Sequence, residues 1–274
     1  MIDFLTQPFA FEFMQRAFLT SVVAAVLCAV LSCWLVLMGW SLMGDAVSHA
    51  VLPGVVLAYI VGAPFFLGAL LFGFLAVALI GVVRDGTRVK EDAAMGVVFT
   101  SLFALGLVLI SVTPSHVDLN HIVFGNLLGV SWADAVQIIG VALVALAALL
   151  IKRRDLTLFA FDARHARAIG INPRLLSGLL LAILALTSVV ALQVVGVVLV
   201  VAMLIIPGVT ARLLTDRFGR MLWLAPVLAA VCAVVGVYIS YYLDTATGPT
   251  IVLCQGALFA VVKLGRMASH GVRV

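Results

Sequence analysis

Residues 17–38 read AFLTSVVAAVLCAVLSCWLVLM, a stretch with no charged side chain. As a helix rising 1.5 Å per residue it reaches about 33 Å, enough to cross the roughly 30 Å hydrocarbon core of a bilayer. The rest of the chain repeats the pattern. Apolar runs of similar length fall at about 45–62, 64–83, 93–113, 134–151, 174–192, 195–214, 221–243 and 249–266. Two links, Gly62-Ala63-Pro64 and Gln193 to Gly196, are so short that the spans they join must be antiparallel neighbours. The 274 residues are 65% hydrophobic and 10% charged, with mean hydropathy +1.30. So few charges cannot keep a soluble surface wet. The expected fold is all-α: a polytopic transmembrane bundle of about nine spans, with eight as the alternative, forming a single transmembrane domain over residues 1–274.

The N-terminus does not read as a cleavable leader. Its first fifteen residues carry Asp3 and Glu12 but no base, and the apolar run that follows is too long. The basic residues orient the spans. Arg84, Arg88 and Lys90 follow the third. Lys152, Arg153, Arg154, Arg164, Arg167 and Arg174 follow or flank the link after the fifth. Arg212, Arg217 and Arg220 follow the seventh, and Lys263, Arg266 and Arg273 close the chain, leaving Arg16 alone on the other side. The positive-inside bias makes the basic side cytoplasmic and the N-terminus external. An eight-span count splits the bases across both faces. In a membrane protein the pI near 9.1 reports this topology, not a nucleic-acid partner.

Within the second apolar run lies Gly44-Asp45-Ala46-Val47-Ser48-His49-Ala50-Val51-Leu52-Pro53-Gly54. Four residues separate Asp45 from His49, which places a carboxylate and an imidazole one turn apart on one helix face. Ionisable groups in a bilayer are costly and mark ion or substrate paths. The pair suits Mn²⁺, Fe²⁺ or Zn²⁺ and, lacking thiolate, argues against Cu(I). Ser48, waters or backbone carbonyls would complete a loose site, and conduction requires that the ion be released. Pro53-Gly54 interrupts the helix one turn on and frees carbonyls beside the path. The structural alternative has Asp45 capping the second span and His49 bonding a neighbouring helix. Span counting sets Asp45 near the cytoplasmic end; a turn within the membrane at 38–44 would set it deeper.

Two links exceed a simple turn. Residues 114–133, with His116, Asp118 and His121, form a polar outer mouth, followed over about 122–131 by a half-apolar helix too short to cross. These histidines are either a receiving site or ordinary loop residues. Inside, residues 159–170 read as a short amphipathic helix with Asp162 as N-cap and Gly170 as stop. Its bases serve either the lipid surface or a docked cytoplasmic partner. Cys28, Cys33, Cys232 and Cys254 fall in apolar runs without a CxxC pair and read as small core residues. No GxxxxGK[ST] or HExxH is present, so neither P-loop ATP binding nor the commonest zinc-hydrolase helix is encoded.

The segment Gly44 to Gly54 resembles the signature of the membrane permeases of ATP-binding-cassette importers for divalent transition metals, the manganese/zinc/iron class. Further similarity runs through Asp118-Leu119-Asn120-His121-Ile122-Val123-Phe124-Gly125-Asn126, through Phe161-Asp162 to Gly170-Ile171, and through 195–200 and 204–212. The resemblance implies a subunit that is not itself an enzyme and holds no permanent cofactor, its metal being cargo. Its implied partners are cytoplasmic ATPase subunits, a second permease chain in a homodimer and an external metal-binding protein. Asp45 and His49 would be path ligands, with Ser48, Asp118, His121 and Asn126 at the path or its mouth. Phe161, Asp162, Arg164, Ala166, Arg167, Ala168 and Gly170 would belong to a coupling helix, at about 160–171, seated on the ATPase. The outer helix would gate the path. Asn126 in place of Asp in Phe-Gly-Asn leans towards manganese or iron over zinc. The competing functions are a stand-alone secondary metal carrier and a permease of the metal-chelate or vitamin B12 type, whose wide apolar path has no reason for an Asp–His pair.

Overall fold

The computed structural model describes residues 7–86, 91–113 and 129–271. Among them lie a 3₁₀ turn, Gln7–Ala10, and twelve α-helices with no strand. In chain order these are α1 (Glu12–Met38), α2 (Ser41–Ala50), α3 (Leu52–Val61), α4 (Phe65–Gly86), α5 (Glu91–Val112), α6 (Trp132–Ile151), α7 (Arg153–Phe161), α8 (Ala163–Ala168), α9 (Pro173–Val195), α10 (Val197–Leu214), α11 (Phe218–Leu243) and α12 (Thr247–Gly271).

Every apolar run found in the sequence is helical, most of them longer by a few residues at one or both ends. The second span differs. It is two ten-residue helices, α2 and α3, within one apolar stretch, Met43–Val61. The joint is Val51, whose φ of −72° and ψ of −24° keep it right-handed. Pro53, in the first turn of α3, has no N–H to give the carbonyl of His49, so the backbone ladder is interrupted where the polar pair ends.

Among the described residues eight helical stretches, α2–α3 counted as one, are long and apolar enough to cross a membrane, and Val200–Leu214 is a shorter apolar helix. The packing makes this helix a ninth traverse. Near the end of α1, buried Trp34 donates its indole N–H to Thr157 Oγ1 of α7 at 3.3 Å and stacks edge-on against Phe218, centroids 5.4 Å apart. Residues on both sides of the α9–α10 pair thus meet at one end of the bundle, so α9 leaves that end and α10 returns to it. At the opposite end the guanidinium of Arg16 lies 5.9 Å from the Trp132 ring centre. Arg153, Arg154, Arg217 and Arg220 therefore share one end, where charge counting put them.

The most buried apolar stretches are those of α1, of α2–α3 and of α9, each 67% buried. They form the centre of the bundle, and α12, at 11%, is its rim. α1 packs on α11, α10, α6 and α9, while α2 packs on α5, α10 and α9. Cys28, Cys33 and Cys232 are free and buried, and Cys254 is half-buried, as core residues.

Small residues allow the tight crossings. A Cβ on Gly54 would strike the carbonyl of Gly68, and one on Gly68 would strike that of Gly54, so α3 and α4 touch backbone to backbone. Ser32 of α1 enters the ladder of α10 beside Pro207. It accepts from the Gly208 N–H at 3.1 Å and donates to the Ile205 carbonyl at 3.3 Å. Polar side chains serve this way between apolar helices because a backbone group freed by proline has no water to turn to.

Candidate metal path

Asp45, Ser48 and His49 all lie on α2. His49 Nδ1 stands 2.9 Å from Asp45 Oδ1 and 3.1 Å from the Asp45 carbonyl. Ser48 donates its hydroxyl to that same carbonyl at 3.0 Å, and its oxygen lies 3.4 Å from His49 Nδ1. Ser48 is fully buried. The side chains of His49 and Asp45 keep 17% and 33% of their exposure, respectively. The pair is thus enclosed on one side and open on Asp45's side. Among the described residues neither structural alternative is seen: no side-chain cap bond is made at the start of α2, and besides Ser48 the polar atoms that His49 meets are Oδ1 and the carbonyl of Asp45, on its own helix.

Two aromatic rings hold the imidazole. Phe99 and Phe103 of α5 meet it edge-on, with centroids at 5.2 Å and 5.3 Å and interplanar angles of 73° and 75°. Such edge-to-face contacts fix ring orientation without competing for the nitrogens. They also set the depth of the pair. Phe99 and Phe103 come 8 and 12 residues after Glu91 in the 22-residue α5, about 12 and 18 Å along its axis. His49 is level with the middle of α5, deeper than span counting indicates. On the other side, Gly44 faces Leu204 of α10, whose Cδ1 would lie 2.9 Å from an added Cβ.

Asp118, His121 and Asn126, with His116, lie outside the described residues, as does most of the expected outer helix at 122–131. Among the described residues no group of three or more His, Cys, Asp or Glu side chains converges, so Asp45 and His49 offer two strong ligands.

The inner amphipathic segment is two helices instead of one, because Asp162 breaks it. Its backbone is extended, and its carboxylate accepts the N–H groups of Arg164 and His165, both at 2.9 Å. These bonds, that to His165 foremost, hold the Asp162 carboxyl below the ordinary carboxylate range. Phe161 ends α7 and is 65% exposed. Ala166 is the buried contact of α8; Arg164, Arg167 and Ala168 are exposed. Gly170, at φ +86°, ends the segment in the left-handed region. Its N-cap and stop stand as expected, while the helix between them is only six residues.

Charge counting found the pair, but Phe99, Phe103 and Leu204 escaped it. The i, i+4 spacing of the two phenylalanines was a usable signal, since it sets both rings on one face of α5.

The fold defines a multi-pass membrane protein, and among the described residues it carries a carboxylate–imidazole pair inside the bundle. The profile of the ABC 3 transport family matches residues 10–265, and the chain belongs to that family: it is an ABC transporter permease for metal. It is 49% identical over 261 residues to the manganese transport system membrane protein MntB of Synechocystis sp., covering 95% of this chain and 85% of that one. It is 48% identical over 264 residues to the chelated iron transport system membrane protein YfeD of Yersinia pestis, covering 96% and 89%. A probable iron transport system membrane protein of Haemophilus influenzae is 48% identical, covering 95% and 96%. Among solved structures, PsaBC from Streptococcus pneumoniae in complex with Fab superposes with a TM-score of 0.87 at 39% identity, covering 96% and 95%. An inward-facing ABC transporter described as of metal-chelate type superposes at 0.77 with 18% identity, a likeness of fold alone.

Proposed function

We propose that this chain is the membrane subunit of an ATP-driven importer of a divalent transition metal, manganese before iron or zinc, in a bacterial cytoplasmic membrane with its N-terminus outside. The observation that carries this reading is the Asp45–His49 pair, 2.9 Å apart at mid-bundle beside a helix break. Two cis ligands about 2.1 Å from one cation stand about 3.0 Å apart, taking the usual metal–nitrogen and metal–oxygen lengths. The separation of the pair therefore already matches that of two adjacent ligands on one ion. Hard carboxylate with imidazole suits manganese and iron. Relatives named for manganese and for iron support the same short list, and Phe-Gly-Asn at 124–126 adds the lean against zinc.

In this reading residues 1–274 form a single permease domain that works with a second identical chain, cytoplasmic ATPase subunits and an external metal-binding protein. Phe161, Asp162, Arg164, Ala166, Arg167, Ala168 and Gly170 form the ATPase-coupling segment at about 160–171. Asp118, His121 and Asn126 line the outer mouth, with residues 122–131 as its gate. ATP hydrolysis belongs to the partner, and alternating access carries the ion past Asp45 and His49. A chelate or vitamin B12-type path would be wide and apolar, and a stand-alone carrier would have no use for the inner segment.

The test is elemental analysis of cells expressing the complete transporter, comparing wild type with Asp45→Ala and His49→Ala at matched membrane levels. Wild type should gain manganese, and both variants should fall to background while still inserting, because each removes a polar group from a costly environment. Undiminished uptake by both variants would place the site elsewhere. No metal gain by wild type would bring the chelate permease forward.

A further inference from the structure

A groove of about 540 Å³ opens between α7 and the start of α11, lined by Arg153, Arg154, Thr157, Leu158, Phe161, Phe218, Gly219, Leu222 and Trp223. Its walls divide by chemistry. Arg153 and Arg154 form the polar rim and are exposed. The acid of α7, Asp155, is engaged by Lys152 at 3.3 Å, and neither guanidinium pairs with a carboxylate among the described residues. Apart from Thr157, whose hydroxyl is engaged by the Arg153 carbonyl and Trp34, the remainder is apolar and leads onto the face of α11, where Leu222 is buried and Trp223 is 74% exposed. Its floor is fixed, because Trp34 ties Thr157 and Phe218 together from beneath.

This is the arrangement an amphiphile requires: a pair of unneutralised cations at the water level and an apolar trough running into the spanning helix. Trp223 stands less than two turns inside α11, at the interfacial depth where tryptophan concentrates. A cytoplasmic protein can reach the arginines, but its backbone cannot follow the trough along the membrane-facing side of α11 without burying unsatisfied polar groups. Basic pockets between membrane helices on the cytoplasmic side take anionic headgroups. We propose that this groove binds one anionic phospholipid, its phosphate on Arg153 and Arg154 and an acyl chain over Leu222 and Trp223. The site stands beside the proposed coupling segment and shares Phe161 with it, so a bound lipid would brace α7 where α8 begins.

The full chain, purified in non-ionic detergent, is titrated with phosphatidylglycerol carrying brominated acyl chains, and tryptophan quenching is followed. Phosphatidylcholine with the same chains is the neutral comparison. Wild type should show saturable quenching by the anionic lipid well below the concentration needed for the neutral one. The Arg153→Gln, Arg154→Gln double variant should weaken anionic-lipid binding about 25-fold, roughly fivefold for each base. Trp223→Phe should remove most of the saturable signal, and Arg174→Gln, an exposed base elsewhere on this side, should keep it. Thermal unfolding of each variant checks that the fold is intact. Equal affinity for the two lipids, or full affinity in the double variant, overturns the proposal. Displacement of the lipid by millimolar inorganic phosphate would make this a free-anion site, and displacement by the ATPase subunit would make it a protein contact; either refutes the lipid assignment. None of these outcomes bears on metal uptake through Asp45 and His49, so the two readings fail separately.

Discussion

Gly54→Ala adds a single methyl group where α3 meets α4. The new Cβ would strike the Gly68 carbonyl and lie 2.7 Å from its carbon and 2.8 Å from Phe72 Cδ2. Phe72 can swing aside; the backbone of Gly68 cannot. Restoring carbon–carbon contact distances of 3.5 Å or more requires the two helices to part by roughly 1 Å. Overpacking costs about 1–3 kcal/mol, and a clash against backbone falls in the upper part of that range, about 2–3 kcal/mol; the better helix propensity of alanine returns close to 1 kcal/mol. The expected net loss is about 1–2 kcal/mol, or a fall in melting temperature of about 4 °C at the 2–4 °C per kcal/mol of proteins this size. Thermal unfolding of the full chain in detergent measures it. Gly178→Ala, at an exposed position on the otherwise buried α9 with nothing within 4 Å of the added atom, gives the opposite sign and isolates the propensity term. Gly68→Ala should match Gly54→Ala. The double variant should cost less than their sum, because the first methyl already opens the crossing. Gly54→Ala as stable as wild type, or a fully additive double variant, would refute the backbone-contact account.

Ser32→Ala should destabilise the chain by about 1–2 kcal/mol, since the Gly208 N–H and the Ile205 carbonyl lose a partner where water cannot replace it; equal denaturation midpoints would show that α10 closes its own ladder at Pro207. Asp162→Ala should abolish hydrogen-exchange protection in 163–169 at neutral pH, whereas Asp162→Asn should retain most of it. Because the folded Asp162 carboxyl is held below its ordinary value of 3.8, the cap is complete above that value in wild type. It is lost only as pH falls through the depressed one, so a wild-type transition near neutrality would contradict the cap. Arg164→Glu with Arg167→Glu should leave the spans folded by circular dichroism and stop ATP-dependent metal uptake; retained uptake would sink the coupling role of α8.

The spans were legible because a lipid-length apolar run has few other uses, and the basic residues ordered their ends. The same logic placed Asp45 and His49, two ionisable groups isolated in an apolar run. Depth was not legible. It depends on how α2 sits against α5: the spacing of Phe99 and Phe103 sets both rings on one face, but only the packing shows that this face meets His49 and not lipid. The glycine pair 54 and 68 could not be read from composition either, since a crossing is a property of two helices and each glycine alone suits a flexible turn equally well. Pro53 announced a break, but the joint lies two residues earlier, at Val51, because proline disrupts the ladder behind it. Asp162 was rightly read as a cap. The amphipathic pattern nevertheless ran through it, since residues either side keep a common exposed face while the backbone turns extended between them.

The contacts around the broken span differ in stiffness, and the difference falls where the polar pair sits. α3 is pinned on α4 by backbone against backbone at Gly54 and Gly68, a contact that cannot yield without parting the helices. α2 is met by side chains instead: the Leu204 methyl above Gly44, and the two phenylalanine edges at His49. Rotamers adjust within packed regions far more cheaply than backbones shift. Gly106 of α5 closes on Leu52 and Pro53 at the joint itself, 3.0–3.1 Å from where its Cβ would be. That contact fixes the joint's position, while the contacts described on α2 before it are made by side chains. On the proposed reading of Asp45 and His49 as path ligands, this partition puts them on the compliant half of a span whose other half is locked, as uptake and release of an ion would require.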